Sequence, residues 1–226
     1  MMYDVSMILH FLQDLNRNNT REWFGVQKAE YEKAQKSFMI LVDELIGQVR
    51  TFDPGVGAVE AKDCVFRIYR DTRFSNDKTP YKTHLGAYIA SGGRKSTRAG
   101  YYIHLDAEKP MAAGGIWQPG PEVLKAIRQE IQYHLPDFES IVTGKEFVKF
   151  FGTLSSEDKL SRPPKGYTVD TPGIEYLKHR NYTVMRMLEL PELTDGKLMT
   201  RLMETFRAMA PLNAFLNRAV DMIEQH

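Results

Sequence analysis

The stretch THLGAYIASGGRKSTRAGYYIHLDA, Thr83 to Ala107, decides the fold. Two runs of β-branched, aromatic and alternating residues flank GGRKSTRAG, a turn-rich loop, and this pattern predicts an antiparallel hairpin. A slip of one residue in pairing turns every side chain to the opposite face, so the apolar pattern sets the register. Leu85, Ala87 and Ile89 then share a buried face with Tyr101, Ile103 and Leu105. The opposite face must carry His84, Tyr88, Tyr102, His104 and Asp106.

Two further strands are predicted around this hairpin, VFRIYR before it (65–70) and MAAGGIWQ after it (111–118), with the second half of YLKHRNYTVMRML as a possible fifth. Extending the alternation to VFRIYR sends Phe66 and Ile68 to the core and sets Arg67 and Tyr69 beside the histidines. Upstream, Ile8, Leu9, Phe11, Leu12 and Leu15 recur at helical spacing up to Asn18 and Asn19. Asn19, with Glu22 three positions on, reads as the cap of a long helix whose inner face is Phe24, Tyr31, Phe38, Leu41, Leu45 and Val49. Downstream, Pro121 opens a helix, one or two short helices follow, Thr171-Pro172 can cap another helix turn, and DGKLMTRLMETFRAMA and PLNAFLNRAVDMIEQH read as two final helices. The expected architecture is α+β: an antiparallel meander sheet of about four to five strands with helices packed mainly on one face. No repeat or long linker interrupts it, so residues 1–226 read as a single domain, with N-terminal helices over 6–52, the sheet over 64–118 and a mostly helical part over 120–226.

The formal net charge is +1 and hydrophobic residues make up 42% of the chain, so no global field draws it to nucleic acid or membrane. Any basic site has to be local. The N-terminal run has an acid where a signal peptide carries bases, and no stretch reaches the length of a membrane span, so a cytoplasmic protein is expected. The single cysteine, Cys64, excludes an internal disulfide and reads as packing rather than a nucleophile. Trp23 and Trp117 read as core residues. The glycines beside Trp117 read as a bulge or close packing.

The local basic site is RIYRDTRFSNDKTPYK, Arg67 to Lys82, where Arg67, Arg70, Arg73, Lys78 and Lys82 surround only Asp71 and Asp77. Planar guanidinium groups fork onto phosphate or carboxylate, so the uncompensated charge points to an anionic small ligand. The candidate binding residues are Arg67, Arg70, Asp71, Arg73, Asp77, Lys78 and Tyr102, with His104 as a candidate general acid or base. Two alternatives stay open: a nucleic-acid-binding module that stacks bases on tyrosines, or an Arg-Asp lattice that pins a loop in a protein-interaction domain. Arg94, Lys95 and Arg98 in the hairpin loop, and Lys178, His179 and Arg180, read as solvated charges. His84, His104 and Asp106 form the one constellation of metal-ligating type, but its spacing is nonspecific and its surroundings are cationic, so no metal is assigned. No nucleotide, hydrolase or metalloprotease motif occurs, and no cofactor is expected.

RIYRDTRFSNDKTPYK closely resembles the hallmark of a widespread bacterial family catalogued as domain of unknown function 2461. NNTREWF from Asn18, GYYIHL from Gly100, GGIWQP around Trp117 and YLKHR from Tyr176 are similar to the same family, in order along nearly the whole chain. The resemblance implies a single-domain bacterial protein of this length. It carries no established activity and so no catalytic residues.

Overall fold

The computed structural model describes residues 2–224. Its sheet contains β1 (His84–Ile89), β2 (Gly100–Asp106), β3 (Met111–Ile116) and β4 (Tyr182–Met187) in the order β1-β2-β3-β4, an antiparallel meander within an α+β fold. The possible fifth strand is therefore β4, and the sheet extends well beyond residue 118 of the sequence. By contact density the chain divides into two compact units. The first comprises Met1–Arg94, Tyr102–Ala112 and Met187–Met203, and the second Lys95–Tyr101, Ala113–Arg186 and Glu204–His226.

In the first unit the helices are α1 (Val5–Arg17), α2 (Arg21–Val26), α3 (Lys28–Arg50) and the single turn α4 (Ala61–Cys64). Asp4 caps α1 by accepting from the Met7 amide at 2.9 Å, and its own amide donates to the buried Ser37 hydroxyl of α3 at 2.6 Å. This ties the start of one helix to the middle of the next. Leu85, Ala87, Ile89, Ile103 and Leu105 are at most 1% exposed, as the hairpin register requires, and α3 and α4 cover β1. Cys64 is fully buried, and burial pushes its thiol up to about 11, which makes it an inert packing residue.

Three expectations change here. VFRIYR is not a continuous strand but two isolated bridges, Val65 to Ala87 and Tyr69 to Tyr81. The Phe66 amide donates to the Gly86 carbonyl and the Lys82 amide to the Ile68 carbonyl, so the register slips by two residues between them. Arg67 alone thus opposes Thr83, His84 and Leu85, a bulge that breaks the alternation. Second, Asn19 caps no helix. Thr20 caps α2 instead, and Asn19 brackets the Tyr81 backbone, donating to its carbonyl at 2.9 Å and accepting from its amide at 3.2 Å. Third, the long helix is split at Gln27, which ends α2 and precedes α3.

The second unit holds α5 (Pro121–Tyr133), α6 (Leu135–Val142), α7 (Lys145–Phe151) and α8 (Ile174–Leu177), with part of the closing helix described below. Phe138 is fully buried between the rings of Tyr176, Tyr182 and Phe215, at centroid distances of 5.2, 6.5 and 5.1 Å. A short helix, α9 (Leu190–Thr194), went unread in the sequence; it precedes α10 (Leu198–Glu224), one helix where two were expected. Pro211 lies inside α10, yet Phe206, Met209, Leu212 and Leu216 are all fully buried on either side of it. Continuous packing of that face outweighs the loss of one amide donor, and proline's fixed φ is itself helical. Trp117 is 50% exposed rather than core.

The glycines beside it are there for close approach. Gly115 has φ +101°, and a Cβ on it would lie 2.0 Å from the Tyr182 carbonyl oxygen. Replacing Gly115 with Ala is therefore expected to cost more than about 3 kcal/mol, because both strain and backbone overlap must be relieved. Gly152→Ala, at φ +68° but facing open space, is expected to cost less, about 1–2 kcal/mol, because only backbone strain must be relieved. Urea unfolding of the two variants with unchanged m values checks the contrast.

Candidate functional site

The apolar face of the hairpin leaves the expected polar face: His84, Tyr88, Tyr102, His104 and Asp106 are all half-buried. Gly86 lies between His84 and Tyr88 on that face, and a Cβ there would stand 2.7 Å from the Tyr102 hydroxyl. Only glycine leaves room for the Tyr102 ring to lie across the neighbouring strand. From that position the Tyr102 hydroxyl is 2.9 Å from His104 Nδ1, which leaves His104 Nε2 directed toward Asp106 Oδ2 at 3.8 Å. The other Asp106 oxygen, Oδ1, accepts from the Glu108 and Lys109 amides at 2.7 and 3.0 Å. His84 stacks on His104 with ring centroids 4.0 Å apart.

Burial and charge set the protonation of this group. Burial, reinforced by His104 and Lys82, lowers His84 to about 4 against the opposing pull of Asp106, so at neutral pH its imidazole is uncharged. Burial raises Tyr102 to about 12, and the phenol keeps its proton. For Asp106 burial is the largest single influence and acts upward, yet the His104 imidazole and the two amides together outweigh it and hold the carboxyl at about 2. A tyrosine hydroxyl hydrogen-bonded to an imidazole, with an ionised carboxylate 3.8 Å beyond, brings together groups able to hold a proton.

The arginine-rich motif runs off this face and is largely satisfied from within. Arg70 Nη1 pairs with Asp77 and donates to the Thr79 hydroxyl. Arg73 forks onto its neighbour Asp71, through Nε to Oδ1 at 2.9 Å and Nη2 to Oδ2 at 2.6 Å. Lys78 donates to the Thr72 carbonyl at 2.9 Å. Among the described residues no glutamate of α2 or α3 meets these arginines; Glu30 and Glu32 pair with Lys33 and Lys28. Charge counting along the motif therefore misplaced the unsatisfied groups. They are Arg67 and Lys82, which have no carboxylate within ion-pairing distance among the described residues.

The bulge explains the remaining differences. Phe66 is half-buried on the polar face, 6.2 Å from the Tyr102 ring, with the Lys82 ammonium 5.5 Å from its own centroid, so it is not a core residue. Tyr69 packs on Phe24 and Tyr81 at 6.2 and 5.4 Å instead of joining the histidines, and Arg67 is exposed. Burial first, and then Arg67, lower the Lys82 ammonium below its ordinary value. Lys82 and His84 line a cleft of about 610 Å³ with Asn16, Asn19 and Thr83, and with Arg70, Asp71 and Asp77 of the loop. Thr83 and Lys82 carry no signal of a site of their own in the sequence, because the bulge beside them has no sequence signature, and Asn16 reaches the cleft from α1. Elsewhere, Arg94 donates to the Lys62 and Asp63 carbonyls, Arg98 pairs with Asp221 at 2.5 Å, and Lys178 pairs with Glu175 at 2.6 Å. His179 is buried rather than solvated, its Nδ1 3.0 Å from the Ser155 carbonyl.

Asp77 supplies a direct check on the motif. Its hydrogen bond from Arg70, helped by the Thr79 amide and hydroxyl, lowers its carboxyl to about 2. The stabilisation from this pairing is present above the ordinary carboxylate pKa of about 3.9 and is lost as pH falls through about 2. A carbon-detected NMR titration is expected to place the Asp77 midpoint near 2 in the native chain, and Arg70→Ala is expected to return it toward the ordinary value.

A family model described as "Conserved hypothetical protein (DUF2461)" matches residues 7–215. No curated protein and no solved structure matches the chain.

Proposed function

Starting from a chain that belongs to the DUF2461 family, we propose that it binds a small anionic ligand, bearing phosphate or carboxylate, in the cleft beside Lys82 and His84. The observation that carries the reading is Lys82: a half-buried ammonium with no carboxylate partner among the described residues, next to Arg67, opening on that cleft. Burying a charge without a partner is unfavourable, so such a group is retained where a partner arrives from outside. Asn16 and Asn19 line the same wall, their amides held by the Glu108 carboxylate and the Tyr81 backbone. In this reading Arg70, Asp71 and Asp77 shape the cleft, while Arg73 and Lys78 brace its loop, a structural role that the internal pairing of these charges supports.

Tyr102 and His104 lie one strand further in. His104 would act as general acid or base on a ligand that reaches across His84, with Tyr102 holding its ring. We place the protein in the cytoplasm, a reading supported by its one buried, unreactive cysteine. No helix among the described residues is long and apolar enough to cross a membrane.

Inorganic phosphate, a sugar phosphate and a tricarboxylate, each tested at constant ionic strength, are expected to include at least one that raises the melting temperature. Saturation at a hundredfold excess over Kd is worth about 2.7 kcal/mol, a shift of several degrees. Lys82→Met is expected to abolish that rise while making the ligand-free protein more thermostable, since it removes the unpaired charge. Arg73→Ala, on the exposed rim, is expected to leave the rise in place. No rise with any of the three compounds, or an undiminished rise in Lys82→Met, overturns the reading.

A further inference from the structure

We propose that His84, His104 and Asp106 form a binding site for a divalent transition-metal ion of the Zn²⁺ type. Each contributes one ligating atom, and the three atoms lie within 4.8 Å of one another. Three ligands around a tetrahedral ion with bonds of roughly 2.1 Å lie about 3.4 Å apart, so small side-chain rotations close the set. Two imidazoles and one carboxylate suit a borderline ion and leave a fourth position open.

The surroundings of these three groups carry the inference further than their composition does. A ligating histidine ordinarily has its second ring nitrogen fixed by a hydrogen bond, which sets the tautomer and aims the free nitrogen. Here the Tyr102 hydroxyl meets His104 Nδ1 at 2.9 Å, which leaves Nε2 on the side of Asp106. Asp106 is held in the same manner: its Oδ1 is occupied by the Glu108 and Lys109 amides, which leaves Oδ2 for the ion. Both are oriented before any ion arrives, and an ion on Nε2 replaces the acid-base role open to His104 in the metal-free chain. Gly86 belongs to this device, because the Tyr102 hydroxyl occupies the space where a Cβ at Gly86 would crowd it at 2.7 Å.

The cationic surroundings that count against a metal in the sequence are mostly cancelled in the fold. Arg70 and Arg73 are neutralised by Asp77 and Asp71. Lys82 remains near His84, and both line the same cleft. The metal inference does not rest on the anion reading, because Lys82 is not among the three ligands.

The test uses the full chain, stripped with a chelator and dialysed into a buffer free of phosphate and carboxylate, so that metal binding is read separately from anion binding. Calorimetric titration with Zn²⁺, and visible absorption with Co²⁺ as a spectroscopic substitute, are expected to show one equivalent per chain. His84→Gln and Asp106→Asn roughly keep the side-chain size, and Asn keeps an Oδ1 acceptor for the Glu108 and Lys109 amides; each is expected to weaken binding at least about a hundredfold. Tyr102→Phe is a positioning change and is expected to weaken it about tenfold and to shift the Co²⁺ spectrum. His10→Ala and His134→Ala, which remove exposed histidines beside Asp14 and Glu130, are expected to change nothing. Circular dichroism verifies that each variant is folded, and His84→Ala serves if His84→Gln itself ligates the ion. Absence of stoichiometric binding, or binding retained in both ligand variants, overturns the proposal.

Discussion

The register of β1 against β2 is the constraint on which the first unit depends. Leu85, Ala87, Ile89, Ile103 and Leu105 are buried together, and burying each large apolar side chain is worth roughly 1.5–3 kcal/mol. A slip of one residue would expose all of them, at a total on the order of 10 kcal/mol, comparable with the whole stability of a domain. The polar face is therefore not an independent feature. Once the apolar set is inside, His84, Tyr102, His104 and Asp106 have nowhere else to go, and alternation brings His104 and Asp106 side by side on one strand.

The arginine-rich loop is held by different forces. Arg70 and Asp77 are 26% and 56% exposed and Arg73 is 77% exposed, and ion pairs at such positions contribute about 0–1 kcal/mol each. They cannot by themselves order the loop. The stronger restraints are on Tyr81, whose backbone is bracketed by Asn19 and whose ring stacks on Phe24 at 3.9 Å. Tyr81 fixes the returning strand of the loop to the junction between α1 and α2. Its neighbour Lys82 is thereby placed on the rim of the cleft. The salt bridges then act mainly on charge, since they remove two arginines from the competition for an external anion.

Periodicity made the meander, the first helix and the hairpin faces legible, because each buries one regular stripe over two or more turns or several alternations. Features set by contact between distant segments were not legible. The slip between Phe66 and Lys82 depends on where Gly86 and Ile68 meet their partners, and it sends Phe66 to Tyr102 and Tyr69 to Phe24. Asn19 has the chemistry of a cap, yet the Tyr81 peptide competes successfully for both ends of its amide. Pro211 carries the signal of a helix end, and the surrounding buried face overrides it. The site was half legible for the same reason. Alternation identified Tyr102, His104, Asp106 and His84 as neighbours, whereas the isolation of Lys82 follows from which aspartates its fellow cations reach.

The charges that remain on the polar face make the two proposed ligands interdependent. Arg67 and Lys82 supply two positive charges, Asp106 supplies one negative charge, and His84 is neutral above about pH 4. The unliganded face thus favours an anion. A divalent ion held by His84, His104 and Asp106 would add to that excess and would keep a coordination position for a further ligand. Each ligand then screens the charge that opposes the other, so an anion that bridges metal and ammonium raises the affinity for the metal by the same factor as the metal raises its own. The size of that coupling depends on the pairing of Arg70 with Asp77 and Arg73 with Asp71. With those arginines free, the anion would be held without help from the trio, and the metal would meet uncancelled repulsion.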